Sequence, residues 1–259
     1  MRILFSKRKE WEPGLKNRFR FTRHEIVFDD LSARDFNDFD LIVPLTIHDV
    51  RYLSTMRDQL KWNPIPIPSL ECVELCDDKY RFNQALIHSE LKEFVPQMGG
   101  HLSYPYILKK KTDEWGANCH IIENEEEEKV LSDKLTDPEY FTQELVSGRE
   151  QYSAHILFKN NQVVFSIDIK HVFGTKRPIQ GRDASSYTRV RDCPYLNQFA
   201  SVLTYIGFEG LCCIDYKVRD DAPLILEINP RFGGSLCRYF IYFMQVLSPS
   251  DPRQKIGAT

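Results

Sequence analysis

Glu227 and Asn229 stand two residues apart at the end of an apolar run, and Pro230-Arg231 and Gly233-Gly234-Ser235 come directly after. A second apolar run, Leu211 to Val218, carries one acid, Asp215. The segment between them, Arg219-Asp220-Asp221-Ala222-Pro223, is polar and rich in turn formers, so the two runs read as a hairpin. Centring that hairpin on Asp221 pairs Val218 with Leu224 and Asp215 with Glu227. Side chains alternate faces with period two, which puts Asp215, Glu227 and Asn229 on one face. Facing carboxylates repel and weaken a sheet. A divalent cation between them removes the conflict, and Asp, Glu and Asn oxygens suit Mg²⁺, which completes its shell with water and nucleotide phosphates. The other reading of the same residues is a hairpin with its acids on a solvated face.

Phosphates also need cations. Lys79 opens a helix expected from about Asp78 to Ile87, with Asp77 or Asp78 as its N-cap. Pro105 to Lys111 is a strand that turns basic, with Lys109 and Lys111 on one face and Lys110 on the other. A polar loop with a single glycine, Gly116, comes next, and then a returning strand, Cys119 to Ile122. Strand, flexible loop and strand with lysine at the root suit a lid over polyphosphate; lysines that simply solvate a strand end are the alternative. Phe173 to Arg191 holds Lys176, Arg177, Arg182, Arg189 and Arg191 and reads as a long loop, either beside a site for an anion or on the surface.

The elements that must position these groups are legible at low resolution. Arg2–Ser6, Glu25–Phe28 and Asp40–Leu45 read as short apolar strands, and Asp49 to Leu60 as a helix. That alternation predicts a small parallel α/β unit over residues 1–75. It lacks the G-x-G-x-x-G fingerprint of a dinucleotide site. His48-Asp49 comes after a strand end and reads as a ligand-side pair or as a helix cap. Trp62 to Ser69, with three prolines, is a crossing segment. Further on, Glu125 to Glu128 reads as a solvated helix face. Tyr140–Val146 is strand-like, and Gln151–Phe158 with Gln162–His171 forms a hairpin around Asn160-Asn161. Pro194 to Ile206 is an amphipathic helix. An apolar helix is expected from Ser235 to about Leu247, with a frayed tail from Ser248.

Composition excludes several classes. A net charge of −3 gives no support for a general nucleic-acid surface. No apolar run approaches a membrane span, and the N-terminus has too short an apolar core for a signal peptide. Seven cysteines, an odd number without a C-x-x-C pair, predict reduced, buried thiols in a cytoplasmic protein and no zinc site. P-loop, metalloprotease, serine-hydrolase and kinase catalytic-loop signatures do not occur.

Taken in order, Asp78-Lys79, Tyr106 to Lys109, Gln143 to Glu150, Gly210 to Asp215 and Glu227 to Arg231 resemble the ATP-grasp superfamily of carboxylate–amine or thiol ligases. The resemblance implies an α/β chain. A small pre-ATP-grasp domain over 1–75 would precede an ATP-grasp domain over 76–259, divided into a lid-bearing lobe, 76–142, and a metal-binding lobe, 143–259. It assigns Lys79 and Lys109 to ATP phosphates. Gln143 to Val146 becomes the hinge, with backbone groups of Glu144 and Val146 facing adenine, and Glu150 goes to the ribose. Asp215, Glu227 and Asn229 take one or two Mg²⁺, or Mn²⁺ in its place. Arg231, with Lys109, becomes catalytic and stabilises the transferred phosphoryl group. The Gly233-Gly234-Ser235 turn would face the substrate, and Arg189, from the basic stretch Lys176 to Arg191, is expected beside an anionic one. The single lid glycine, and Lys110 where relatives commonly carry proline, depart from the pattern.

The resemblance thus implies an ADP-forming ligase acting on a small-molecule carboxylate and an amine, and a homodimer through the N-terminal unit. A small-molecule kinase of the same fold and a non-catalytic ATP-binding module are the alternatives. The chemistry needs no protein nucleophile, because positioning and charge neutralisation carry phosphoryl transfer.

Overall fold

The computed structural model describes residues 1–248. β1 (Arg2–Ser6), α1 (Glu12–Phe19), β2 (Glu25–Asp29), β3 (Leu41–Val43) and α2 (Ile47–Thr55) build the first unit. Its strands pair in parallel in the order β2-β1-β3, as the strand–helix alternation predicts. The middle of β1, Ile3 to Phe5, is apolar because both faces are covered: Leu4 packs with Ile42, Leu53 and Leu60, while Ile3 and Phe5 join the core shared with the rest of the chain. α1 is not evident from sequence because Pro13-Gly14 looks like a turn. Proline sits in the first helical turn, where its missing N–H costs nothing, and Leu15 and Phe19 supply the buried stripe. α2 starts two residues earlier than expected, because Thr46 and Asp49 form a reciprocal capping box. Asp49 is therefore a helix cap, and the second half of the expected helix is a separate 3-10 turn, Arg57–Leu60.

Beyond the proline-rich crossing segment come α3 (Leu70–Asp77), a helix that periodicity does not announce, and α4 (Lys79–Ile87). β4 (Tyr106–Lys110), β5 (His120–Ile122), α5 (Glu125–Val130), α6 (Ser132–Thr136) and β6 (Tyr140–Glu144) come next. The three strands form an antiparallel sheet in the order β5-β4-β6. Tyr106, Leu108 and Ile122 pack there against Leu131 and Leu135. The glutamate run lies in α5, solvated as expected and capped by Asn124.

β7 (Glu150–Lys159), β8 (Gln162–Phe173), β9 (Ser185–Arg191), α7 (Leu196–Tyr205), β10 (Gly210–Arg219) and β11 (Ala222–Asn229) complete the larger part. Its five strands are ordered β11-β10-β7-β8-β9 and pair antiparallel. Asn160-Asn161 and Asp220-Asp221 close two-residue hairpins with positive φ at both positions, the geometry that matches strand twist and that Asn and Asp tolerate. One face of this sheet, with Tyr152, Ile156, Ile214 and Tyr216, is buried with Phe199 and Val202 of α7. The other face is divided. Leu157, Ile167, Ile169 and Leu211 pack on the N-terminal unit, and the remainder opens to a cleft.

Two expectations fail here. Phe173–Arg191 is not a long loop: its second half is β9, an edge strand whose mostly exposed polar side chains hide it from a hydrophobicity reading. The segment after Ser235 is not one helix. It forms 3-10 turns at Gly234–Arg238 and Phe240–Phe243, then a single turn, α8 (Met244–Leu247). The tighter i→i+3 turns set Phe240 and Phe243 three residues apart, both buried among Phe5, Phe165 and Phe232. The expected frayed tail lies outside the described residues, apart from Ser248.

Candidate active site

Residues paired across neighbouring strands share a face of the sheet. Asp215 pairs with Ser153 on one side and Glu227 on the other, and Cys213 pairs with His155 and Asn229. All of these lie on the cleft side of the sheet. Glu227 reaches it through an irregularity that the hairpin arithmetic does not contain. The outer pairs are Lys217 with Leu224 and Val218 with Pro223, so Val218 does not meet Leu224. The register then slips by one residue, and Leu226 is the extra residue of β11. Leu226 and Glu227 consequently both line the cleft, while Ile225 and Ile228 are buried on the opposite face.

The acids are held in a tight set. The Ser153 hydroxyl donates to Asp215 Oδ1 at 2.5 Å. The Asn229 amide Nδ2 donates to Asp215 Oδ2 at 3.2 Å and to Glu227 Oε1 at 3.1 Å. Burial and the facing Glu227 push the Asp215 carboxyl up to about 7. Burial also works against the charge on Glu227, but the Lys79 and Lys109 ammonium groups outweigh it and hold that carboxyl below its ordinary range. Glu227 thus has a lysine beside it, whereas Asp215 is bonded to neutral groups, the Ser153 hydroxyl and the Asn229 amide. That imbalance, and an all-oxygen donor set once the Asn229 amide turns its Oδ1 inward, fit a hard divalent cation such as Mg²⁺. Among the described residues no group of three or more His, Cys, Asp or Glu is placed to hold a metal ion. The donor set here has two carboxylates, and the Asn229 amide is its third member.

Both expected lysines reach the cleft. Lys79 lies at the start of α4, capped by Asp78. Its Nζ lies 3.2 Å from Glu227 and donates to the Asp113 carbonyl at 2.6 Å. Lys109, near the end of β4, is buried and donates to Gln143 Oε1 at 2.8 Å. Burial lowers its pKa. The Gln143 amide donates in turn to Asn83 Oδ1 at 2.9 Å, and Asn83 donates to the Lys79 carbonyl at 2.7 Å. A hydrogen-bonded chain thus ties the two lysines into one frame. Gln143 serves that frame with its side chain. Leu145 and Val146 continue along the cleft wall, and the Glu144 carboxylate turns out to an ion pair with Arg219.

Arg231 is fixed at both ends of its guanidinium. Its Nη1 donates to the Phe232 carbonyl at 3.0 Å, and its Nη2 meets Glu114 of the lid loop at 3.0 Å. The Gly233-Gly234-Ser235 turn closes the same end of the cleft. A Cβ on Gly233 would sit 2.6 Å from His155 Cε1, so only glycine allows the turn to approach the sheet this closely. Ser235 Oγ lies 2.8 Å from His155 Nε2.

Two expected residues are not brought in. Glu150 starts β7 on the opposite parity, where it accepts from the Tyr152 hydroxyl at 2.6 Å and pairs with Lys170. Its neighbour Gln151 faces the cleft instead. Arg189 pairs across strands with Lys170, which itself pairs with Tyr152, so it too lies on the far face. The ribose and substrate roles expected of these two are not supported by their positions. Asn83, Glu114, Gln151, Ser153 and Lys217 belong to the site or its support without having been singled out from sequence. Ser153 and Gln151 follow from the parity argument only once β7 is known to pair with β10. Lys217 shares the parity of Asp215, and its Nζ donates to the Gly148 carbonyl at 2.8 Å.

The cleft, about 310 Å³, thus runs between a small three-stranded sheet with a lid loop and a larger antiparallel sheet with an acid pair, lined by Lys79, Lys109 and Arg231. Acids from one sheet and lysines from both lobes face one another across it. The family model for the ATP-grasp domain matches residues 76–235, more than half of the chain, and the chain belongs to the ATP-grasp family. No curated protein matches it by sequence. Among solved structures it is similar to D-alanine–D-alanine ligase from Bacillus anthracis, at 16% identity and TM-score 0.61, over 91% of this chain and 88% of that one. It is also similar to L-amino acid ligase from Bacillus licheniformis, at 14% identity and TM-score 0.66, over 93% and 69% of the two chains. A third is N5-carboxyaminoimidazole synthetase from Staphylococcus aureus complexed with ADP, at 14% identity and TM-score 0.63, over 97% and 78%. At these identities the likeness is one of fold.

Proposed function

We propose that this chain is an ADP-forming ligase, which activates a small-molecule carboxylate with ATP and couples it to an amine or similar nucleophile. The observation that carries the reading is the meeting of Asp215, Glu227 and Asn229 with Lys79, Lys109 and Arg231 at one cleft. A divalent cation held by Asp215, Glu227 and Asn229 would neutralise phosphate charge. Lys79 and Lys109 are held by neighbouring side chains and backbone, so they arrive with their orientation set and lose little freedom on binding. Arg231 offers a bidentate-capable guanidinium where the phosphoryl group and the carboxylate oxygen would meet. The lid loop, Thr112–Asn118, excludes water from that point, which strengthens each of these contacts. Under this reading the chain divides near residues 75 and 142 into the N-terminal unit, the lid-bearing lobe and the metal-binding lobe. Seven free, buried cysteines support a reducing, cytoplasmic setting. No helix among the described residues is long and apolar enough to cross a membrane.

Hydroxylamine trapping tests the reading. With a panel of carboxylates, ATP and Mg²⁺, the protein should release ADP and form a hydroxamate with its own substrate. AMP as the nucleotide product would overturn the acyl-phosphate route. ADP release with a phosphorylated product that hydroxylamine does not trap would mark a kinase.

A further inference from the structure

Glu114 is shared by two arginines from opposite ends of the chain. Its Oε2 meets Arg8 Nη2 at 3.0 Å and its Oε1 meets Arg231 Nη2 at 3.0 Å. Both arginine side chains are almost buried, at 10% and 8% exposure, whereas Glu114 is 40% exposed. Each guanidinium is fixed independently of the glutamate. Arg8 lies 3.9 Å over the Trp11 ring and donates Nη1 to the Leu45 carbonyl at 3.1 Å. Arg231 donates Nη1 to the Phe232 carbonyl. Two nearly buried cations therefore aim their Nη2 groups at one point, and one loop carboxylate fills it. Burial works against the charge on Glu114, but Arg231 and Arg8 outweigh it and keep the carboxyl below its ordinary range.

Desolvated guanidinium groups without an anion are costly, so the pair needs a partner whether or not substrate is bound. Glu114 supplies one from the lid loop, where Asp113 bonds within the loop to Asn118 and accepts from Lys79 at its carbonyl, and Trp115 is half exposed. A half-exposed loop carboxylate on fixed, buried arginines has the character of a stand-in. The fixed part is the receptor.

We infer that Arg8 and Arg231 form a two-guanidinium receptor for a carboxylate of the substrate, and that Glu114 occupies it as an internal surrogate which the substrate displaces. The inference rests on the ligase reading and extends it, since it brings a residue of the N-terminal unit, Arg8, into substrate recognition. It also couples binding to the lid, because displacing Glu114 removes the loop's two ion pairs and leaves it tied through the Lys79 bond to the Asp113 carbonyl.

The test uses acetate as the probe carboxylate and inorganic phosphate as the tetrahedral control, at constant ionic strength. Binding is followed by the fluorescence of Trp11 and Trp115, which flank Arg8. Glu114→Ala should bind acetate at least tenfold tighter than wild type. Adding Arg8→Met should abolish that gain, and Arg8→Lys should restore part of it in a folded protein. Equal acetate affinity in wild type and Glu114→Ala, or retention of the gain after Arg8→Met, would overturn the receptor. Binding of phosphate but not acetate would overturn the carboxylate assignment. ADP with Mg²⁺ is titrated separately into wild type: its failure to bind would sink the ligase reading itself, whatever acetate does.

Discussion

Asp215 and Glu227 face each other across β10 and β11 because Leu226 is an extra residue in β11. With an unbroken two-residue hairpin, Asp215 would face Leu226, and Glu227 would fall to the buried side. The bulge exchanges regular pairing for a carboxylate pair on the cleft face, a use typical of bulges beside functional sites.

Glu227→Gln should leave the fold intact and remove turnover. The substitution relieves the like charge that raises Asp215 but takes the counter-charge from the nearly buried Lys79, so the two effects oppose and the melting temperature should change little. ADP release should fall by about 10²- to 10³-fold, on the scale of losing one electrostatic contact to a transition state. Wild-type turnover in this variant would take Glu227 out of the metal site.

Gln143 accepts from Lys109 and should act on the proposed reaction through it. Gln143→Leu leaves the Lys109 ammonium and Asn83 Oδ1 without their buried partner. An unsatisfied buried polar group costs about 1–3 kcal/mol, so denaturant unfolding should register a loss of that order. A purely structural role would stop there. A positioning role should also raise the KM for ATP, and Gln143→Glu should recover part of it.

Arg231→Lys keeps the charge and loses the planar fork that meets Glu114. Turnover should drop by about tenfold or more while ADP affinity changes little, because the arginine is expected to matter where charge develops rather than in holding the nucleotide. Parallel ADP titration and ADP-release kinetics separate the two effects.

Gly233→Ala should destabilise the protein by about 1–3 kcal/mol, the usual range for overpacking. The new Cβ would press on the His155 ring and on Cys213. Because Ser235 is held by His155, the same substitution should impair turnover beyond the stability loss, measurable at a temperature where the variant is fully folded.

Acid should destabilise this protein through its buried histidines. Burial depresses His155 from 6.5 to about 3 and His171 from 6.5 to about 4. Between those values and 6.5 the unfolded chain binds protons that the folded chain refuses, so stability falls as pH drops below 6.5. Each histidine contributes a slope of about 1.4 kcal/mol per pH unit in that window. His171→Gln should flatten the stability profile between about pH 6.5 and 4 and leave it unchanged above about pH 7.

Short stretches of sequence determine a good part of this architecture. The two hairpins, the parallel N-terminal unit, the capped start of α4 and the basic end of β4 all come from turn formers, periodicity and alternation within short windows. The pairing of Asp215 with Glu227 is also reached from sequence, but only because two errors cancel. A one-residue centre stands in for a two-residue turn and a bulge. Parity along β7 places Glu150 and Gln151 on opposite faces, and no local rule tells which one the cleft takes. β9 stays hidden because an edge strand with exposed side chains carries no hydrophobic signal.

Only the tertiary structure decided which distant residues meet. Asn83 and Gln143 are 60 positions apart and Glu114 and Arg231 are 117 apart. Such contacts depend on how sheets and loops stack, not on propensity or period. The types and spacing of the acids and lysines determined what chemistry this chain could perform. The packing of the N-terminal unit against the large sheet decided that Arg8 would stand at the cleft and share Glu114 with Arg231. Long-range packing fixes orientation through many weak contacts at once, and no short window of sequence holds their sum.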